Sequence, residues 1–191
     1  KRFEDKLFLL PAAQNTDKSA IEPEEVKAIV ADLKSDFDYI LLDCPAGIEQ
    51  GFANSVAGAD EAIVVSTPEI SAVRDADRVV GLLEQADLDE PPMLIINRIK
   101  KRMVNDGTMM DVDEITHHLS IKLIGIVFDD DEVIGTSNKG EPIVLNEKSP
   151  ASKGYRNIAR RLEGQTVPLM TMKESDESGF FGKIASWFQK K

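Results

Sequence analysis

The stretch F-D-Y-I-L-L-D-C-P-A-G, Phe37 to Gly47, decides how the rest of the chain is read. Four apolar residues, Tyr39 to Leu42, end in a carboxylate at Asp43, and Pro45-Ala46-Gly47 follow at once. An uninterrupted apolar run of this length suits a strand covered on both faces, as in a parallel sheet. The carboxyl edge of such a sheet is where ligands bind, and an acid there can hold Mg²⁺ directly or through its waters. Gly47 lets the backbone turn sharply or approach a phosphate. That is the role of a Walker B aspartate; capping of a following helix explains a strand-end Asp about as often. Cys44 reads as a small, partly buried residue, because no His converges on it.

Similar runs recur outward from this one: Leu7 to Leu10, Ala62 to Val65, Met93 to Ile96 and Leu123 to Val127. Between them lie stretches of helical length, at Pro23 to Lys34, Pro68 to Ala86, Asp111 to Leu119 and Pro150 to Glu163. In Thr67-Pro68-Glu69 a cap, a first-turn proline and an early acid stand in order, which predicts a helix start. Strands alternating with helices predict a doubly wound α/β fold with a mostly parallel sheet. Adjacent helical residues point about 100° apart, so the pair His117-His118 is not read as a metal site.

The chain has 191 residues, 42% of them hydrophobic, enough for one substantial core. Its formal charge of −11 repels a phosphate backbone, which argues against nucleic acid as a partner. The lone Cys44 makes no intramolecular disulfide, and a reducing, cytoplasmic setting is the simplest reading. No run approaches the roughly 20 apolar residues of a spanning helix, so a membrane is expected to be met from one side only.

Longer motifs then join these fragments. The runs F-D-Y-I-L-L-D-C-P-A-G-I-E-Q-G-F, A-D-E-A-I-V-V-S-T-P-E-I-S-A-V-R-D-A-D-R, L-I-I-N-R, S-N-K-G-E-P-I-V-L and G-Y-R-N-I-A-R-R-L together resemble the MinD family of septum site-determining proteins. The resemblance implies a P-loop NTPase fold and a Mg-dependent ATPase of the deviant Walker A type. It also implies a homodimer formed on ATP, attachment to the inner membrane face, recruitment of a MinC-like division inhibitor, and a MinE-like or topological-factor activator. Carried over residue by residue, Asp43 falls on the Walker B aspartate and Mg²⁺ ligand, and Pro45-Ala46-Gly47 on the switch that senses the γ-phosphate. Glu69 falls on a nucleotide contact across the dimer, Asn97 on the asparagine near the adenine, and Phe128-Asp129-Asp130 on the segment closing over the base. The family usually has proline where this chain has Phe128. Ser71, Arg74, Asp75 and Asp77 fall on the surface shared by inhibitor and activator; from the residues alone, the two acids read equally as a solvated helix face beside Arg74 and Arg78.

No G-x-x-x-x-G-K-[ST] sequence occurs in the chain, so nothing in it cradles the β- and γ-phosphates. In the family that loop lies N-terminal to everything seen here. The chain is therefore expected to be the C-terminal part of a longer ATPase, inactive alone, with residues 1–172 belonging to the ATPase domain. Two other readings stay open: a flagellar-number regulator of the same family, and a non-enzymatic membrane-tethered scaffold with a vestigial nucleotide site.

Residues 173–179 carry acids, Ser and Gly without period and read as a solvated linker. After it, residues 180–191 read as an amphipathic membrane-targeting helix. Plotted at about 100° per residue, Phe180, Phe181, Ile184, Trp187 and Phe188 gather within roughly 120°. Lys183, Lys190 and Lys191 supply positive charge, and no acid occurs in these positions. Such a segment suits anionic lipids on an inner membrane face; docking on the domain's own core is the bland alternative.

Overall fold

The computed structural model describes residues 2–3, 6–11 and 21–171. The linker expected at 173–179 and the amphipathic helix at 180–191 lie outside the described residues, as does Met172. The chain divides after Asp60 into two compact units.

In the first unit, β1 (Arg2–Phe3) and β2 (Leu7–Phe8) pair antiparallel. Helices α1 (Pro23–Leu33) and α2 (Gln50–Ala57) pack on each other, with Val30 of α1 buried. Phe8 meets Phe37 edge-to-face at a centroid distance of 5.3 Å. Two sequence expectations are corrected here. The run Leu7–Leu10 forms only a two-residue strand in a hairpin, and Tyr39–Leu42 joins no sheet. A strand exists only with a ladder partner, and among the described residues none lies beside Tyr39–Leu42. Leu10 and Leu41 are consequently 75% and 87% exposed.

The second unit contains the parallel sheet. Its strands β3 (Ile63–Ser66), β4 (Met93–Ile99) and β5 (Lys122–Phe128) lie in the order β3-β4-β5. The register pairs Val64 with Leu94 and Ser66 with Ile96, and Ile96 with Ile126. Each of these five residues is buried. One face is covered by α3 (Ile70–Leu83), which packs on β3 and on α5 (Val112–Leu119) through Val73, Ala76, Val80 and Leu83. The spacing of those four residues is the apolar stripe of an amphipathic helix.

The opposite face is covered by α7 (Pro150–Leu162) over β5, where Ala151 and Ile158 join Ile124, Val127 and Ile143 in one cluster. Because α7 lies over β5, the corresponding face of β3 is open, and Val65 is 58% exposed. The expectation that every strand is covered on both faces thus fails at β3. Contact between α7 and β5 is close because each carries a glycine at the crossing. A Cβ on Gly154 would lie 2.9 Å from the Ile126 carbonyl oxygen, and one on Gly125 2.2 Å from Ile158 Cγ1.

Helix starts follow their capping residues. Asp111 Oδ1 accepts from the Glu114 amide at 2.8 Å while Glu114 Oε2 accepts from the Asp111 amide at 2.9 Å, a reciprocal capping box. Asp111→Ala is expected to lower stability by about 1 kcal/mol, measured by urea unfolding; an unchanged midpoint would show that the box contributes nothing. Ser149 caps α7, its Oγ accepting from the Ser152 amide at 3.1 Å. Helix α3 starts later than expected, with Glu69 and not Thr67 as its N-cap residue. Pro68 is buried, and its carbonyl accepts from the Met110 amide at 3.2 Å, so it docks on the approach to α5 instead of forming a first turn. Three further elements complete the unit: α4 (Lys101–Asn105), α6 (Glu132–Asn138) and a 3₁₀ turn at Ile143–Leu145.

Candidate functional site

In the first unit Asp43 is exposed and makes no hydrogen bond with a described residue. It is followed by a turn in which Gly47 has φ +103°, and α2 begins at Gln50. A Cβ at Gly47 would lie 2.7 Å from Glu49 Oε2, so both space and backbone conformation call for glycine. No group of three or more His, Cys, Asp or Glu among the described residues could hold a metal ion. A single uncommitted carboxylate still fits Mg²⁺, which keeps several waters and takes one or two carboxylates beside phosphate oxygens.

In the second unit, the three strands end together at the carboxyl edge of the sheet, and most of the other nucleotide-site residues stand there. Glu69, exposed, follows β3 and caps α3. Asn97 lies in β4 at a bulge: between the pairs Ile96–Ile126 and Ile99–Phe128, two residues of β4 face one of β5. Arg98 takes the extra place with φ +58°, a left-handed conformation that costs an ordinary residue roughly 1 kcal/mol. The Asn97 carboxamide offsets that strain, its Oδ1 accepting from the Arg98 amide at 2.9 Å. A backbone N–H can only donate, so the oxygen of Asn97 is committed inward and its NH₂ remains to offer.

Asp129 follows β5 and is gripped from both sides. Arg98 Nε lies 3.1 Å from Oδ1, Lys100 Nζ lies 3.6 Å from Oδ2, and the Asp129 amide donates to the Ile99 carbonyl at 3.0 Å. Asp130 is committed as well, accepting from Ser149 Oγ at 2.5 Å and from the Glu132 amide at 3.0 Å. Beside this pair opens a cleft of about 320 Å³ lined by Ile99, Lys100, Lys101, Phe128, Asp129, Asp131 and Pro150. The Phe128 ring is buried as the last residue of β5, with Lys101 Nζ 5.3 Å from its centroid.

The structure therefore brings Asn97, Asp129 and Phe128 to one end of the sheet, although Asn97 itself does not line the cleft. Ser71, Arg74 and Asp75 lie on the solvent face of α3 in one stripe with Arg78, and Asp77 is exposed on its flank. Among the described residues none of these five makes an ion pair. Sequence reasoning missed Arg98, Lys100 and Lys101. Its available signal was the basic run Asn97-Arg98-Ile99-Lys100-Lys101 directly after an apolar strand.

The septum site-determining protein MinD of Bacillus subtilis is 58% identical over 188 residues, covering 98% of this chain and 70% of that protein. The chain belongs to the MinD family. The broader family described as cellulose biosynthesis protein BcsQ, of the same ParA/MinD group, matches residues 3–157. Among solved structures, the MinC:MinD cell division protein complex of Aquifex aeolicus aligns with TM-score 0.75 at 45% identity, over 79% of this chain and 63% of that one. The cell division ATPase MinD of Pyrococcus furiosus aligns with TM-score 0.65 at 25% identity, over 75% and 59%. The chain thus spans between 59% and 70% of these MinD proteins. Its fold is the mixed α/β fold with a parallel sheet seen in MinD, with the sheet incomplete.

Proposed function

We propose that this chain works within a MinD-type, Mg-dependent ATPase that dimerises on ATP, binds the inner membrane face and recruits a MinC-like inhibitor to place the division septum. The observation that carries the reading is the 58% identity to a septum site-determining protein along nearly the whole chain. The cell division ATPase and the MinC:MinD complex among its structural neighbours support the activity and the partner. The charged cleft at the carboxyl edge suits the base end of a nucleotide, since ligands of open α/β sheets bind there.

Asp43 would hold Mg²⁺, which when bound supplies charge neutralisation to the transferring phosphoryl group. Gly47 lets the switch move toward the γ-phosphate, and Glu69 reaches the nucleotide from the dimer face. Asn97 presents donors to the base, while Phe128 and Asp129 form the wall of its pocket. The exposed stripe Ser71, Arg74 and Asp75, with Asp77, takes the inhibitor and a MinE-like or topological activator. Anionic lipid is bound by Phe180, Phe181, Lys183, Ile184, Trp187, Phe188, Lys190 and Lys191.

Calorimetry tests the nucleotide part. The 191 residues alone, without a phosphate-binding glycine loop, are expected to show no micromolar binding of Mg-ATP. A protein that includes that loop is expected to bind it, and Asp43→Ala there should retain binding while hydrolysis falls about 100-fold or more. Micromolar binding by the 191 residues, or unchanged hydrolysis in the variant, would refute the assignment.

A further inference from the structure

Helix α7 carries Lys153, Arg156, Arg160 and Arg161 and not one acidic residue, in a chain of net charge −11. Arg161 belongs to the packing. Its Nη1 donates to the Ile124 carbonyl at 2.8 Å and its Nε to the Val167 carbonyl at 2.9 Å, and burial pulls the guanidinium below its ordinary value. The other three are exposed. At 100° per residue they fall within about 60° of one another, on the side of α7 opposite Ala151, Gly154 and Ile158, which face the sheet. Their acidic neighbours are Glu147, 3.6 Å from Arg156, and Glu163 just beyond the helix. Neither the fold nor the nucleotide cleft uses this basic stripe.

We infer that the outer face of α7 is a second contact with anionic membrane, which orients the domain once the terminal amphipathic segment has inserted. The inference rests on the reading of residues 180–191 as a lipid anchor. Arg161 ties the segment after α7 back to the helix at Val167 and Pro168, and Met170 is buried, so the chain leaves the unit beside the last turns of α7. Residues 172–179 separate that exit from Phe180, a reach of at most about 30 Å when extended. An inserted tail therefore holds the stripe near the leaflet, where each Lys or Arg within a Debye length gains from the anionic surface. A nucleic acid would meet the same three cations without the tether, against the repulsion of the remaining acidic surface.

The test uses the whole chain with vesicles of mixed phosphatidylserine and phosphatidylcholine. The double variant Lys153→Gln, Arg160→Gln is expected to bind about ten-fold more weakly, with a shallower dependence on salt and an unchanged melting temperature. Arg160→Lys keeps the charge while losing the Arg160 Nε bond to Gln165 Oε1, and should bind like the parent. If the double variant binds vesicles like the parent while Trp187→Glu does not bind, the inference falls and the anchor reading stands. If Trp187→Glu binds like the parent, both fall. A double variant that keeps its vesicle affinity but loses a mobility shift with duplex DNA would assign the stripe to nucleic acid instead.

Discussion

Gly154→Val is expected to destabilise the second unit by about 3 kcal/mol or more, beyond the usual cost of an overpacked core. A Cβ at this position would meet the Ile126 carbonyl oxygen at 2.9 Å and the Val127 Cα at 3.3 Å. Both belong to the backbone of β5, so relief requires lifting α7 from the sheet. That movement would open the Ile124–Val127–Ile158 cluster and stretch the Arg161 bond to the Ile124 carbonyl. The better helix propensity of a side chain over glycine returns only a few tenths of a kcal/mol for a β-branched residue, so it does not change the sign. Gly125→Ala is the informative comparison. Its nearest neighbours are Ile158 Cγ1 at 2.2 Å and Cδ1 at 2.8 Å, which rotation of one side chain can move. A loss of about 1 kcal/mol is expected there. Urea unfolding of both variants decides: a Gly154→Val midpoint at or above the parent's would mean that α7 does not sit as closely on β5 as described.

What the sequence revealed of this arrangement, and what it concealed, divides along physical lines. Helices α1, α5 and α7 were legible because a cap or first-turn proline stands before an amphipathic stretch, at Pro23, Asp111 and Ser149-Pro150. Strands β3, β4 and β5 were legible as apolar runs. Tyr39–Leu42 has the same composition yet forms no strand among the described residues, because pairing depends on a neighbour that composition does not report. Short helices such as α4 and α6 lack enough turns to show a period.

At the candidate site the resemblance named Asn97 and Asp129, and the structure sets both at the same sheet edge. The bulge at Asn97–Arg98 and the two-cation grip on Asp129 were illegible, since they depend on the register between β4 and β5. One residue of slippage at Arg98 turns a strand side chain that would have pointed away into a partner for the next strand's terminal acid.

Trp187→Glu is expected to abolish binding of the chain to phosphatidylserine-containing vesicles while leaving its melting temperature unchanged. The apolar arc of residues 180–191 contains only five large side chains, and Trp187 is the one tryptophan in the protein. Removing it from the interface forfeits on the order of 2–3 kcal/mol of apolar burial. The new carboxylate, facing an anionic surface, adds a further penalty of about 1 kcal/mol. Together these correspond to a loss of roughly 100- to 1,000-fold. A twelve-residue segment must also order as it binds, so the parent's affinity is modest and such a loss takes it below detection by co-sedimentation. Unchanged co-sedimentation would remove the tail as anchor. The effect should be larger still in an ATP-bound dimer. Two tails on one particle bind with the second at high effective concentration, so the free-energy loss per tail is incurred twice and the fold-changes multiply. A weak anchor thereby makes attachment depend on pairing, and a dimer carrying one substituted tail should fall back to the affinity of a monomer.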